Sequence, residues 1–395
     1  MMGRNVYIFL RGYHPPESEG MVNLISSITI YLTFTYRFSC KVVTVKRYVP
    51  DAKYPSKFYF NEVKYYDEPK LTRKFFILER NIPLVIKLLE ELYLIYKFLP
   101  YIIKGIREES YLIFAGLGWH IAILSALINR FFNKKAKILF ITFGENRFKS
   151  DLALLFFCFL SLKLRIKIIS TSLSFYIRYR KLFENIEILL PWTHRAEHLI
   201  SESHSINLDI ESPNILYLGS ATEDRLPFEV INYILGGISV YKNSKLTLAF
   251  PKTLTTIRYV HELLMQQFPK YKLNIVVKNL TLDEIEKLFK EHNIIIFLPK
   301  TKKINVVDPP LSIIEAMAYG LIPIINNNSM SLKFIIKNGY NGFIIDSFSD
   351  IDALLKQNLK YIYLKSNIRE NVKESIKIIR KLFYFQLTQI FGDLC

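Results

Sequence analysis

Residues Asp308–Asn327 read DPPLSIIEAMAYGLIPIINN. Pro309 and Pro310 suit only a helix start, since proline fixes φ and lacks the N–H. Asp308 before them is a natural N-cap. The stretch predicts a helix over about 310–319 that stops at Gly320, a favourable left-handed stop. LIPIIN, which follows, reads as a buried strand. Glu315 is the one acid inside that helix, between Ile313-Ile314 and Ala316-Met317. A carboxylate among apolar neighbours is costly unless something pairs with it. Two adjacent hydroxyls of a sugar would do so, one on each oxygen. A wet helix face or a lysine partner would also explain the acid, and spacing alone leans that way while leaving both readings standing.

The same alternation extends upstream of this stretch. After SPN (212–214), strand-like ILYLGS, KLTLAF, LNIVVK and NIIIFLP alternate with helix-like FEVINYILGGI, TTIRYVHELLMQQF and TLDEIEKLFKEH. TLDE is a capping-box opening. GFIID (342–346) is a further strand, and residues from 349 onward read as mostly helical. The first half starts the same way. NVYIFL (5–10) is strand-like, RGYHPPESEG is loop chemistry, MVNLISSITIYLTF is helical and CKVVTVK (40–46) is the next strand. YLIFAG, AKILFITF, the run at 166–170 and IEILLP (186–191) continue the series. Residues 50–80 look irregular, and 83–104 read as a helix broken at Pro100.

Strands alternating with helices imply parallel sheets. The expectation is therefore α/β, with two Rossmann-like domains facing a central cleft. Residues 1–205 would form the first of these domains and 206–372 the second. Residues 373–395 would be a C-terminal helix returning to the first domain. Ligands of open parallel sheets bind at the strands' C-terminal ends.

Composition narrows the class. The chain has 395 residues, half of them hydrophobic and 14% aromatic, which suits large cores and argues against disorder. Three distant cysteines, Cys40, Cys158 and Cys395, form neither a metal-spacing pattern nor a disulfide framework, so a reducing interior is expected. The formal charge of +18 favours anionic partners: nucleotides, nucleic acid or an acidic lipid surface. No signal peptide is read at the start. The longest apolar run, LALLFFCFLSL (152–162), is too short to span a bilayer and reads as a core or an interfacial helix. Lys163, Arg165 and Lys167 follow it.

The stretch from Asp308 through NGYNGFIID resembles the signature of retaining glycosyltransferases of the large GT-B family often called family 4, the glycosyl transferases group 1. The matching parts are Glu315-Ala316-Met317-Ala318, Gly320, Pro323, and the turn formed by Asn338-Gly339 and Asn341-Gly342. The resemblance implies that Glu315 binds the ribose hydroxyls of a nucleotide-sugar donor. The family's second acid falls at Val307 here, with Asp308 one residue away, and Pro309-Pro310-Leu311 replace its glycine-rich segment. Pro310, Leu311 and Ser312 then present a helix N-terminus to an anion. The loop PKTKKINVV (299–307) is longer than in the family, and its Lys302 and Lys303 read as solvated. Gly219 stands where the family has a glycine beside the diphosphate, Ser220 replaces its arginine, and Arg225 stands at its later basic position.

In the first domain Gly20 or Gly12 takes the place of a loop glycine near the diphosphate. GLGWH (116–120) is no dinucleotide fingerprint, but His120 opens a helix after a strand and is a candidate for the acceptor side. A histidine that relatives carry after the next strand is missing; Glu145 or Asn146 stands nearby. Trp192 marks the expected interdomain linker.

The resemblance thus implies a metal-independent hexosyltransferase-type enzyme with no cofactor beyond its nucleoside diphosphate sugar, UDP- or GDP-linked. Arg225, Asp308 and His120 are its catalytic candidates. The acceptor would be a saccharide, a lipid-linked sugar or a protein. The location would be cytoplasmic, with peripheral contact to the membrane's cytoplasmic face. Two other classes stay open: a catalytically inactive GT-B-like nucleotide- or glycan-binding protein, and a basic nucleic-acid-binding protein. The charge speaks for the latter, and the absence of a helix-turn-helix, zinc or aromatic-RNP pattern speaks against it.

Overall fold

A computed structural model describes residues 5–10, 20–46, 57–58, 61–67, 84–143, 151–202, 213–251, 254–266, 268, 272–278, 280–301, 309–329, 331–357 and 367–392. Contacts divide the chain into Met1–Leu189 and Leu190–Cys395. The division falls ahead of the boundary read near 205.

The first unit is a sheet ordered β3-β4-β2-β1-β5-β6-β7-β8 among the described residues, parallel except where β3 meets β4. Its centre is β1 (Asn5–Leu10), β2 (Ser39–Lys46), β5 (Tyr111–Ala115) and β6 (Lys137–Thr142). β7 (Lys167–Ser170) and β8 (Ile186–Ile188) extend one side. Unbroken apolar runs such as YLIFA are completely buried, as strands covered on both faces require. Its helices are α1 (Gly20–Tyr36), α2 (Leu84–Arg107), α3 (Trp119–Phe131), α4 (Asp151–Lys163) and α5 (Leu173–Tyr179). The core runs through Phe9, Phe98, Phe114, Phe140 and Phe157.

Two expectations fail in this unit. The stretch read as irregular contains β3 (Lys57–Phe58) and β4 (Asn61–Asp67), and β4 pairs in parallel with β2. Glu62 and Lys64 are exposed while Val63 is buried and Tyr65 and Tyr66 are half-buried, so charge interrupts the hydrophobic signal of this outer strand. α2 also runs straight through Pro100. Leu94, Phe98, Ile102 and Ile106 repeat every four residues and are all buried, so packing of one face outweighs the hydrogen bond that proline removes.

The second unit opens with α6 (His194–Glu202) and holds a fully parallel sheet ordered β11-β10-β9-β12-β13-β14. Its strands are β9 (Ile215–Leu218), β10 (Leu246–Phe250), β11 (Leu273–Val277), β12 (Ile294–Phe297), β13 (Ile322–Asn326) and β14 (Phe343–Ile345). Its further helices are α7 (Phe228–Gly237), α8 (Leu254–Met265), α9 (Leu282–Glu291), α10 (Leu311–Tyr319), α11 (Leu332–Ile335), α12 (Asp350–Gln357) and α13 (Ile368–Gly392). α9 carries the capping box read from TLDE, with Thr281 and Glu284 bonding each other's backbone N–H. α13 groups here rather than with the first unit. Ser375 accepts from Asn341, Tyr384 donates to Glu197, and Gln386 accepts from the Leu190 N–H.

His292 sits in this core, 1% exposed. Its Nδ1 is 2.6 Å from the Leu288 carbonyl and its Nε2 2.7 Å from the Thr247 hydroxyl. The neutral ring satisfies both, donating to the carbonyl and accepting from the hydroxyl. Burial lowers its pKa to about 4, against the opposing pull of the Leu288 carbonyl. His194 is also lowered to about 4, by burial and then by Arg195. The unfolded chain binds these protons near pH 6.5, but the folded chain does so only near pH 4. Stability is therefore whole above about pH 6.5 and falls as pH drops toward 4, by roughly 3 kcal/mol per histidine. Urea unfolding at pH 7 and pH 4.5 measures this, and His292→Asn is expected to flatten the dependence.

Candidate functional site

In the second unit the strand order reverses between β9 and β12, the place where open α/β sheets bind ligands. Gly219 and Ser220 follow β9 directly. The Tyr217 hydroxyl donates to the Ser220 carbonyl at 2.8 Å. A Cβ on Gly219 would lie 3.1 Å from that hydroxyl and 3.3 Å from the ring, so a glycine lets the tyrosine brace the turn. The chain then turns back, with the Arg225 N–H bonded to the Thr222 carbonyl at 3.0 Å. This brings Arg225 Nη1 to 2.8 Å from Ser220 Oγ.

The Arg225 side chain is half-buried. Burial draws its pKa below the ordinary arginine value, while Tyr217 acts in the opposite sense. The guanidinium stays charged at neutral pH but is poorly hydrated, so an arriving anion is favoured there.

Neighbouring loops are tied to this turn. The Lys300 N–H donates to the Asp224 carbonyl at 2.8 Å, joining the loop after β12 to the loop after β9. Asn326 and Asn328 donate to the Pro299 carbonyl at 2.8 and 3.0 Å, and Ser329 Oγ donates to the Phe297 carbonyl at 3.1 Å. The loop after β13 is thereby fixed to the same place. These asparagines escaped the sequence reading; the run NNNS directly after a buried strand was the available signal.

α10 begins at Leu311 with Pro310 in the N-cap position and no side-chain cap bond. Asp308, read from the sequence as the helix cap, lies outside the described residues, as do Val307, Lys302 and Lys303. The Ile313 N–H bonds the Pro310 carbonyl at 3.1 Å. The N–H groups of Leu311 and Ser312 come before any intrahelical acceptor and carry the positive end of the dipole. Gly320 ends the helix at φ 104°, as its position suggested.

Glu315 is 3% exposed. Its Oε1 accepts from the Thr193 hydroxyl at 3.0 Å and its Oε2 faces Arg195 Nη2 at 3.6 Å. Thr193 also accepts from the Ala196 N–H at 3.0 Å, capping α6. Burial raises the carboxyl's pKa, partly offset by Arg195 and then by Thr193. The acid is thus neither on a wet face nor paired with a lysine. Groups of its own unit hold it, and Thr193 and Arg195 are participants that the sequence reading did not single out. They stand 122 and 120 positions away, with no local pattern linking them to α10. A carboxylate has about four acceptor positions, so two partners leave capacity for more.

The turn after α11 is built for folding. The Asn338 side chain accepts from the Ile344 N–H at 3.0 Å, and Asn341 donates to the Ile335 carbonyl at 2.9 Å. A Cβ on Gly342 would meet Pro323 at 2.7 Å. The conspicuous glycine-asparagine turn therefore packs against Pro323. A cavity of about 380 Å³ is lined by Asn338, Phe343 and Asp350. It lies on the β14 edge of the sheet rather than at the β9–β12 reversal.

In the first unit the order reverses between β1 and β5. Gly20 opens α1, the helix that follows β1; Gly12, Gly144, Glu145 and Asn146 lie outside the described residues. His120 is in the first turn of α3, and its ring folds over Gly118, where a Cβ would meet the ring at 2.1 Å. Its Nε2 is 3.0 Å from Glu91 Oε2. Trp192 belongs to the second unit, completely buried, and donates to Glu197 at 3.0 Å. Among the described residues no three His, Cys, Asp or Glu side chains gather as a metal-holding group, and no helix is long and apolar enough to cross a membrane.

Residues 262–378 match the family model described as Glycosyl transferases group 1. No curated protein matches the sequence. Among solved structures, Anabaena HepE in complex with UDP and glucose is similar at TM-score 0.64 and 11% identity, covering 99% of each chain. An E. coli structure described as trehalose-6-phosphate bound with UDP-2-fluoro glucose reaches TM-score 0.69 at 10% identity, covering 99% of this chain and 98% of the other. A glycosyltransferase from Rickettsia africae gives TM-score 0.63 at 13% identity, covering 99% and 98%. At these identities the likeness establishes the fold. Residues 262–378 carry the sequence signature of the glycosyl transferases group 1, and the chain has the GT-B fold of two parallel-sheet, Rossmann-like units.

Proposed function

We propose that the protein is a glycosyltransferase that moves a sugar from a nucleoside diphosphate sugar to an acceptor hydroxyl, with retention at the anomeric carbon and without a bound metal. The observation that carries this reading is Arg225, held by Ser220 at the β9–β12 reversal and tied through Lys300 to the loop that leads toward α10. It has the support of the group 1 match and of the UDP and UDP-sugar complexes among the similar structures.

In the reaction the acceptor oxygen bonds to the anomeric carbon, and the bond from that carbon to the diphosphate oxygen breaks. The electron pair stays with the diphosphate, and the acceptor proton passes to it or to solvent. Negative charge grows on the leaving diphosphate, and Arg225 with the Leu311 and Ser312 N–H groups would stabilise it. A cation and a helix dipole would then do what a metal does elsewhere. Glu315, kept in place by Thr193 and Arg195, would accept the ribose hydroxyls. His120, oriented by Glu91, would contribute on the acceptor side, and Asp308 on the donor-sugar side. An acceptor met at an anionic membrane surface is part of this reading, supported by the charge of +18.

One observation favours a second reading. Glu315 is already engaged by protein groups, which suits a GT-B-shaped binding protein without turnover. A thermal-shift panel of UDP, GDP, ADP and their sugars, followed by donor hydrolysis, separates the two. The transferase reading expects one nucleotide class to stabilise the fold, and sugar release above a Glu315→Ala control. Stabilisation without release supports the binding protein. Proton NMR of the first-formed product tests retention, and undiminished turnover in EDTA tests metal independence.

A further inference from the structure

We infer that the outer face of α3 and α4 in the first unit is a docking surface for an anionic lipid bilayer. Right-handed crossovers place both helices on one face of the sheet, between β5 and β7, and the two pack together. An outer helix normally turns polar residues to water. α4 does not: Leu155, Phe156, Phe159 and Leu162 are 38–55% exposed, spaced as one helical face. Its opposite side, Leu154, Phe157, Cys158 and Ser161, is buried. At the end of α3, Phe131 is 85% exposed and Phe132 44%. These aromatic side chains bring the apolar surface to the tip of the neighbouring helix.

The charge around this face names its occupant. Arg130, Lys134, Lys135, Lys163 and Arg165 are exposed at the C-terminal ends of the two helices. Glu109 is the acid the structure pairs with this group, 3.6 Å from Lys134. Lys163 lies over the Phe159 ring at 5.7 Å, so one side chain joins the apolar face to the basic rim. Phenylalanine and leucine entering the headgroup boundary, with lysine and arginine on anionic headgroups, is the two-part binding of an interfacial helix. A second copy fits less well, because a symmetric face-to-face contact would set one basic rim against the other.

The surface deepens the membrane-side reading of the acceptor, but its test needs no turnover. Flotation is measured with phosphatidylcholine vesicles alone and with about 30% phosphatidylglycerol. Wild type is expected to float with the anionic vesicles only, and less so at high salt. Phe156→Ser/Phe159→Ser is expected to cut the partition coefficient about tenfold or more, with melting temperature and nucleotide-induced shift unchanged. Lys163→Glu/Arg165→Glu, which leaves the apolar face intact, is expected to abolish the preference for anionic lipid. Equal flotation of either variant and wild type overturns the proposal. So does binding indifferent to lipid charge, or a concentration-dependent dimer that the phenylalanine variant abolishes. A nucleotide shift that is absent while flotation persists would remove the transferase reading and leave this surface standing.

Discussion

Arg195→Met is expected to lower the unfolding free energy of the second unit by about 3–5 kcal/mol at pH 7, the range for taking one partner from a buried ion pair. Arg195 and Glu315 are both under a tenth exposed, and the guanidinium is the first of the groups that oppose burial's upward push on the Glu315 carboxyl. Without it Glu315 keeps Thr193, a weaker partner for a full charge. The folded-state pKa of Glu315, already raised, then rises further above that of the unfolded chain. The folded variant therefore binds a proton that the unfolded chain has released, and its stability falls as pH increases from about 4.5 through the raised value. Part of the loss should return on acidification. Arg195→Met/Glu315→Gln is expected to be less unstable than the sum of the single variants, because no charge is left alone. Urea titrations of the four proteins at pH 5 and pH 7 provide the test.

Arg225→Ala is expected to lower kcat/KM by about 10²–10³, or roughly 3–4 kcal/mol of transition-state stabilisation, with most of the loss in kcat. The leaving diphosphate gains its charge as the bond breaks, so the interaction strengthens between bound donor and transition state. Arg225→Lys should recover part of the rate, since a point charge replaces the planar fork that also bonds Ser220. The half-buried side chain contributes little to the core, and the melting temperature should change little in either variant. Initial rates over a range of donor concentrations provide the check. A pure KM effect would place Arg225 in ground-state binding only.

The strands and helices of the second unit were legible because their signals are local. The capping box of α9, the left-handed Gly320 and the bounded apolar runs of β9, β10 and β12 each lie within a few residues. Several stops in the first unit are not written that way. Arg37, Glu109, Asn133 and Arg165 take positive φ after α1, α2, α3 and α4 without glycine. Pro100 looks like a break from sequence, and only the buried face on both sides of it shows why α2 continues.

The site was legible where it is short-range: Gly219, Ser220 and Arg225 come together in one turn. Its long-range half was not. Nothing near Glu315 announces Thr193 or Arg195, because tertiary packing of α6 against α10 makes those contacts. Likewise the apolar run of α4 could be read as core or as interface. The fold makes it both, one face in each environment.

Titrating UDP, GDP and ADP onto wild type and onto Arg225→Ala by calorimetry tests the central claim, a nucleoside diphosphate site at the β9–β12 reversal. The account predicts that one of the three binds wild type, and that Arg225→Ala weakens it by about tenfold or more, the worth of one charge-assisted contact. Binding of equal strength to both proteins, or of none to wild type, would contradict it.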